Sequence, residues 1–219
     1  MEIDRTELLR YLGWRGQELD GTMLEKLDGA AKRCLGIAEP RSVMRRFALN
    51  EDLSLGETGF RLEGEDIKKH LAGCREVYLI AATIGLAAER ELAKLSAVSM
   101  EQALLFDTAA SCAVESYCDD ICEDLENHCQ RALTSRFSCG YGDFPLTAQK
   151  EICRILDTEK KIGLYADKNY LLTPRKSVTA VAGITDAPAQ ARAQINCGNG
   201  CSNRFGSCGK TDCSFRKTE

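Results

Sequence analysis

Histidine is nearly absent: His70 and His128 are the only two among 219 residues, so any metal site in this chain has to draw on sulfur or oxygen. A basic excess is also missing. The net charge is -4, which argues against a chain whose main task is to hold nucleic acid, because phosphate neutralisation needs a basic face. The short cluster Arg41, Arg45, Arg46 reads as a solvated element end. No apolar run is long enough to span a bilayer; the longest, Val77 to Ala88, is interrupted by Thr83 and Gly85. The N-terminus, Met1-Glu2-Ile3-Asp4, is acidic and lacks the basic and apolar regions of a secretory leader. The expectation is a cytoplasmic protein with no membrane partner and no nucleic-acid partner.

What is abundant is cysteine, with twelve in the chain, against a background of 44% hydrophobic and 28% charged residues typical of a globular protein. A reducing compartment disfavours a disulfide framework. Some thiols are then expected as small buried apolar groups and others as metal ligands. Cys112, Cys118, Cys122 and Cys129 fall on one helical segment, which spreads them too far for one ion, so they read as core. Cys197-x3-Cys201-x6-Cys208-x4-Cys213 is different. Glycines 198, 200, 206 and 209 between these thiols permit the turns that let four sulfurs converge on a soft metal. The spacing departs from paired zinc-ribbon knuckles and leaves zinc and iron–sulfur both open.

Periodicity predicts helices over 6–14, 20–35 and 65–71, one from about 86 to 95, and a long one from Ser99-x-x-Gln102 to about 132, roughly 50 Å at 1.5 Å per residue. For the second helix, Thr22-x-x-Glu25 reads as the capping box, Gly36 as the end, and Met23, Leu27, Ala31 and Leu35 as the buried stripe. A shorter helix is expected over 147–156. Extended segments are expected at 42–49, 58–62, 75–83, 161–165 and 177–184, the last with one apolar face made by Val178, Ala180, Ala182 and Ile184. Residues 133–146 read as a loop or short strand. The fold class is α+β: a twisted, mainly antiparallel sheet with one long and several short helices. The expected division is a domain over 1–186, then a linker and cysteine-rich tail over 187–219.

Within that frame, Arg136-Phe-Ser-Cys-Gly140-Tyr141-Gly142-Asp143-Phe-Pro145 carries the most chemical information. Glycines flank a tyrosine, so backbone groups can approach a ligand closely. Arg136 can hold a carboxylate or phosphate through two parallel bonds. No Gly-Lys-Ser/Thr follows, which excludes a phosphate loop, and the strand–GxGxxG–helix order of a dinucleotide site is missing. On the preceding helix, Glu115 amid Ala113, Val114 and Tyr117 is either a functional carboxylate or a solvated one.

The run Arg136-x3-Gly140-Tyr141-x3-Pro145-x4-Lys150, then Lys161-Ile162-Gly163-Leu164 and Pro174-x2-Ser177-Val178, resembles the activation (reactivation) domain of cobalamin-dependent methionine synthase, in a short stand-alone form. Asp107 and Glu115 are similar to acidic positions of that family. The resemblance implies an activation component that binds S-adenosylmethionine and presents its methyl group to the cobalt of cobalamin after the metal has slipped from Co(I) to inert Co(II), with one electron from a flavodoxin-like or ferredoxin-like donor. It implies that Arg136 pairs with the methionyl carboxylate, that Ser138, Cys139, Gly140 and Gly142 line the ligand, and that Tyr141 faces the corrin as the residue nearest the chemistry. The chain lacks an Asp-x-His-x2-Gly corrinoid signature, so cobalamin would sit on a separate corrinoid-binding methionine synthase or methyltransferase and the chain would act in trans. Two departures stand out: Gly142 replaces the family's proline, which predicts a looser loop, and no aspartate matches the family's contact to the methionyl amine. The rival readings are a non-catalytic corrinoid-protein adaptor, a redox protein using a C-terminal iron–sulfur cluster, and a structural domain with a zinc tail.

Overall fold

The fold is seen in a computed structural model that describes residues 1–14, 16, 18 and 20–189. The tail cysteines Cys197, Cys201, Cys208 and Cys213 lie outside the described residues.

The chain opens with helices α1 (Arg5–Tyr11) and α2 (Gly21–Ile37), then strand β1 (Arg41–Ala48) and a short helix α3 (Glu65–His70). Strand β2 (Glu76–Thr83) leads into α4 (Leu86–Val98) and the 30-residue α5 (Met100–Cys129). Short strands β3 (Arg131–Leu133) and β4 (Phe137–Ser138) follow, then α6 (Ala148–Leu156), α7 (Thr158–Ile162), β5 (Tyr165–Ala166), β6 (Leu172–Thr173) and β7 (Ser177–Pro188). The main sheet has the order β1-β2-β7-β3, with β4 also on β7, and every pairing is antiparallel. The α+β class read from the sequence is the class observed. None of the described helices is long and apolar enough to cross a membrane.

Alternation along β2 builds two layers at once, since successive side chains point to opposite faces. Val77, Leu79 and Ala81 pack with Ile67, Phe144, Ile152, Leu156 and Ile162. Tyr78, Ile80 and Ala82 pack with Cys118, Ile121 and Cys122 of α5 on the other face. A third cluster joins the first half of α5, through Phe106, Ala109 and Ala113, to Leu8, Leu27 and Cys34 of the N-terminal helices. Helix α5 therefore belongs to a helical bundle at its start and to the sheet at its end.

Several local expectations need correction. The cap of α2 is Asp20, whose carboxylate accepts from the Met23 N–H at 2.6 Å, one residue pair earlier than a Thr22 box. Gly36 lies inside that helix, which stops only where Ala38 turns extended ahead of Pro40; Leu35 is exposed, and Cys34 is buried in its place while Met23, Leu27 and Ala31 pack inward as the pattern suggests. Residues 161–164 end a helix rather than start a strand: the Thr158 hydroxyl donates to the Leu164 carbonyl at 2.5 Å and closes the turn around buried Ile162. Residues 58–62 are extended only in part: the 3-10 segment Gly56–Thr58 and Gly59 at positive φ turn the chain, and Arg61 then forms an antiparallel bridge to Ser54 while the Leu62 N–H donates to the Leu53 carbonyl at 3.0 Å. Strand β7 is buried on both faces along residues 179–184, because it is central between β2 and β3 with β4 and takes a layer on each side. The single apolar face inferred from Val178, Ala180, Ala182 and Ile184 is thus half of what it buries. The strand also continues two residues past 186.

Candidate functional site

Helix α5 presents oxygen-bearing side chains at one-turn intervals: Asp107, Ser111, Glu115 and Asp119 share a face by the i, i+4 rule. Each end of that stripe holds a cation. Lys176, just before β7, reaches the Asp107 carboxylate at 2.8 Å, the Asp107 carbonyl at 3.1 Å and the Ser111 hydroxyl at 2.8 Å. Arg136, between β3 and β4, donates through Nη1 to Asp119 at 2.6 Å and through Nη2 to Glu115 at 2.8 Å. A longer contact runs from Nη1 to the Cys122 sulfur at 3.8 Å.

The Arg136 side chain is only 10% exposed, whereas Glu115 is 45% exposed. Burial opposes the arginine's charge, but the Asp119 and Glu115 carboxylates beside it act the other way, and its pKa is raised. Cys118, pushed up to about 12 by its own burial, is a neutral thiol near pH 7. The compensating charge therefore comes from the two carboxylates. Together the three ionised groups carry one net negative charge, open to solvent mainly at Glu115. The C-terminal end of α1 approaches the same carboxylate: burial and then Glu115 raise the Tyr11 phenol above its ordinary value.

Past Arg136, β4 seats Phe137 and Ser138 opposite Val181 and Ala180 of β7. The loop then folds on itself. Tyr141 N–H donates to the Ser138 carbonyl at 3.2 Å, Gly140 N–H to the Phe144 carbonyl at 2.9 Å, and Phe144 N–H to the Tyr141 carbonyl at 3.1 Å. Gly140 at φ 85° and Gly142 at φ 56° occupy the left-handed region that the tight turn requires. Phe144 is buried and anchors the turn in the core. Tyr141 is exposed, its ring set edge-on to Phe137 at 5.3 Å. Cys139 points inward: its sulfur lies 3.8 Å from the Thr179 hydroxyl, and burial pushes its thiol up to about 12.

The sequence-derived residues thus form two adjoining parts. Arg136 is drawn to α5, while Gly140, Tyr141 and Gly142 form an exposed turn beside it, with Ser138 half-buried at its base and Cys139 directed at Thr179. Asp119 was missed, although its i+4 spacing from Glu115 is a helical signal. Asp143 was missed as well, and nothing in its local sequence marks it. The thiols Cys112, Cys118 and Cys122 are buried and Cys129 is half-buried, in keeping with a packing role. Among the described residues no group of His, Cys, Asp or Glu is arranged to hold a metal ion.

Neither a family model nor a curated protein matches the sequence. Solved structures do: 13 chains are similar in fold. One of them, a crystal structure of the MetH reactivation domain bound to AdoHcy, superposes with a TM-score of 0.58 at 16% identity, covering 83% of this chain and 73% of that one. The chain has the fold of that reactivation domain.

Proposed function

We propose that this chain binds S-adenosylmethionine at the Arg136–Tyr141 segment and serves as the reactivation component for a separate corrinoid methionine synthase or methyltransferase. The observation that carries the reading is the buried Arg136 held between Glu115 and Asp119 directly ahead of the exposed Gly-Tyr-Gly turn, in a chain with a reactivation-domain fold. AdoHcy, the ligand in that structural neighbour, is what remains of S-adenosylmethionine once its methyl has left.

The charge arrangement suits such a ligand. S-adenosylmethionine carries an ammonium, a sulfonium and a carboxylate, one net positive charge against one net negative charge in the triad. Arg136, held by Glu115 and Asp119 through its two Nη groups, would offer the rest of its guanidinium to the carboxylate. Glu115 is the accessible acceptor for the ammonium. Tyr141, on the open side of the turn, would face the corrin. The protein's contribution is alignment of the sulfonium methyl with the acceptor and exclusion of water. Cobalamin, held on the partner, supplies the methyl acceptor once a flavodoxin-like or ferredoxin-like donor has reduced its cobalt. The methyl would form a new bond to that acceptor as the S–CH3 bond breaks, the electron pair of the old bond would stay on sulfur, and S-adenosylhomocysteine would leave. The tail thiols Cys197, Cys201, Cys208 and Cys213 would hold zinc or an iron–sulfur centre.

Calorimetric titration of anaerobically purified protein with S-adenosylmethionine tests the reading. Saturable binding that Arg136→Ala weakens by about 1–3 kcal/mol, the scale of a charged hydrogen bond, supports it. Absence of binding both alone and with a corrinoid partner protein present would overturn it.

A further inference from the structure

We propose that α3 is a clamp on the 135–143 segment, and that Asp143 and His70 are the positioning residues through which it sets how that segment meets the ligand. The proposal rests on the reading of the site given above. Asp143 spends both carboxylate oxygens on the start of α3: Oδ2 accepts from the Glu65 N–H at 2.6 Å and Oδ1 from the Asp66 N–H at 3.0 Å. These backbone donors hold its carboxyl below the ordinary range. The residue preceding α3 is Gly64, which has no side chain to cap the helix itself. The cap comes instead from a residue 78 positions away in sequence, so it joins two segments of chain as well as finishing a helix.

The joint is close on both sides. A Cβ on Gly64 would lie 2.5 Å from Asp143 Oδ1, and one on Gly142 would lie 2.5 Å from Asp66 Oδ2. Gly142 therefore stands where both the positive φ and the approach of α3 exclude a side chain, proline included. Where the sequence suggests a looser loop, the structure supplies a different restraint in place of a proline ring.

The other end of α3 holds the other end of the segment. His70 Nε2–H donates to the Ser135 carbonyl at 2.7 Å, and its ring packs on Phe137 at 5.0 Å. Phe137 in turn supports Tyr141 and Phe144. Between the two grips lie Arg136, Ser138, Cys139, Gly140 and Tyr141. The clamp is itself fixed, because Ile67 and Leu71 are buried in the sheet's core layer. A turn closed only by its own hydrogen bonds would be free to pivot on β4; one gripped at both ends is not.

Hydrogen–deuterium exchange over residues 136–146 and calorimetry with S-adenosylmethionine, on wild type, Asp143→Ala, Asp143→Asn and His70→Gln, test the clamp, with the melting temperature recorded for each. Faster exchange of the segment in Asp143→Ala, binding weakened about fivefold as for loss of a helix cap, and partial recovery in Asp143→Asn are expected. Wild-type affinity in Asp143→Ala, or unchanged exchange, would overturn it. If wild type takes no S-adenosylmethionine, the functional reading fails separately, and the exchange result alone decides whether α3 clamps the segment.

Discussion

Arg136 and Asp119 meet at 2.6 Å with the arginine almost wholly enclosed, which makes this pair the hinge between the sheet's β4 end and the face of α5. Removing either partner should therefore register in stability as well as in binding. Asp119 is less exposed than Glu115. Asp119→Asn should cost about 1–3 kcal/mol, as for a charged group left short of its partner. Glu115→Gln should cost less than about 1 kcal/mol, in the range of exposed ion pairs, while weakening ligand binding more. Denaturant titration and calorimetry on the two variants separate the effects; equal losses in both assays would contradict the assigned roles.

A pH dependence follows from His70. Burial lowers its pKa from the ordinary 6.5, and the bond to Ser135 only partly opposes this. Below that ordinary value the unfolded chain takes up a proton the folded chain resists. Stability from this group is thus present above pH 6.5 and is lost as pH falls through the folded value. Wild type should lose more melting temperature between pH 7.5 and 5.5, two values chosen to bracket roughly the histidine range, than His70→Gln does. Parallel curves would show that His70 is not the group responsible.

The buried thiols should be inert. Burial pushes Cys34 up to about 11, and Cys112 and Cys118 up to about 12. Since the thiolate is the reactive form, alkylation of these three in native protein should be far slower than in denatured protein, read site by site by mass spectrometry. Stability linked to them is intact below the ordinary 9.0 and declines as pH rises through the folded values.

At the tail, anaerobically purified protein should contain zinc or iron. The double variant Cys201→Ser with Cys208→Ser should lose it while S-adenosylmethionine binding persists. Metal analysis with visible absorbance distinguishes a colourless zinc site from an iron–sulfur centre. Metal-free wild type would end the ligand assignment of Cys197, Cys201, Cys208 and Cys213.

Much of the architecture was legible because it rests on local signals. The uninterrupted apolar run 77–82 marks a strand covered on both sides, and Ser99, whose hydroxyl accepts from the Gln102 N–H, marks the start of α5. Strand β7 was harder. Thr179 looks polar in sequence, but its hydroxyl donates to Gln149 at 3.0 Å within the core, a partner 30 residues away that no periodicity discloses. The site divides the same way. Arg136 and the glycines of the turn are conspicuous as residue types in a pattern, and Asp119 follows from helical spacing. Asp143 and His70 gain meaning only when α3 is folded against the loop, a contact between distant parts of the chain.

The double allegiance of α5 has a mechanical consequence. Its first half is bound to the N-terminal helices and its second half to the sheet, so a single rigid rod carries strain from one body to the other. The bundle keeps α1, α2 and α4 and the sheet keeps α6 and α7, so what is lost if that rod melts is the link between them. Loosening the bundle should thus reach Arg136 through Glu115 and Asp119 without any contact at the ligand turn, and the protein should come apart as one unit on heating rather than in two stages.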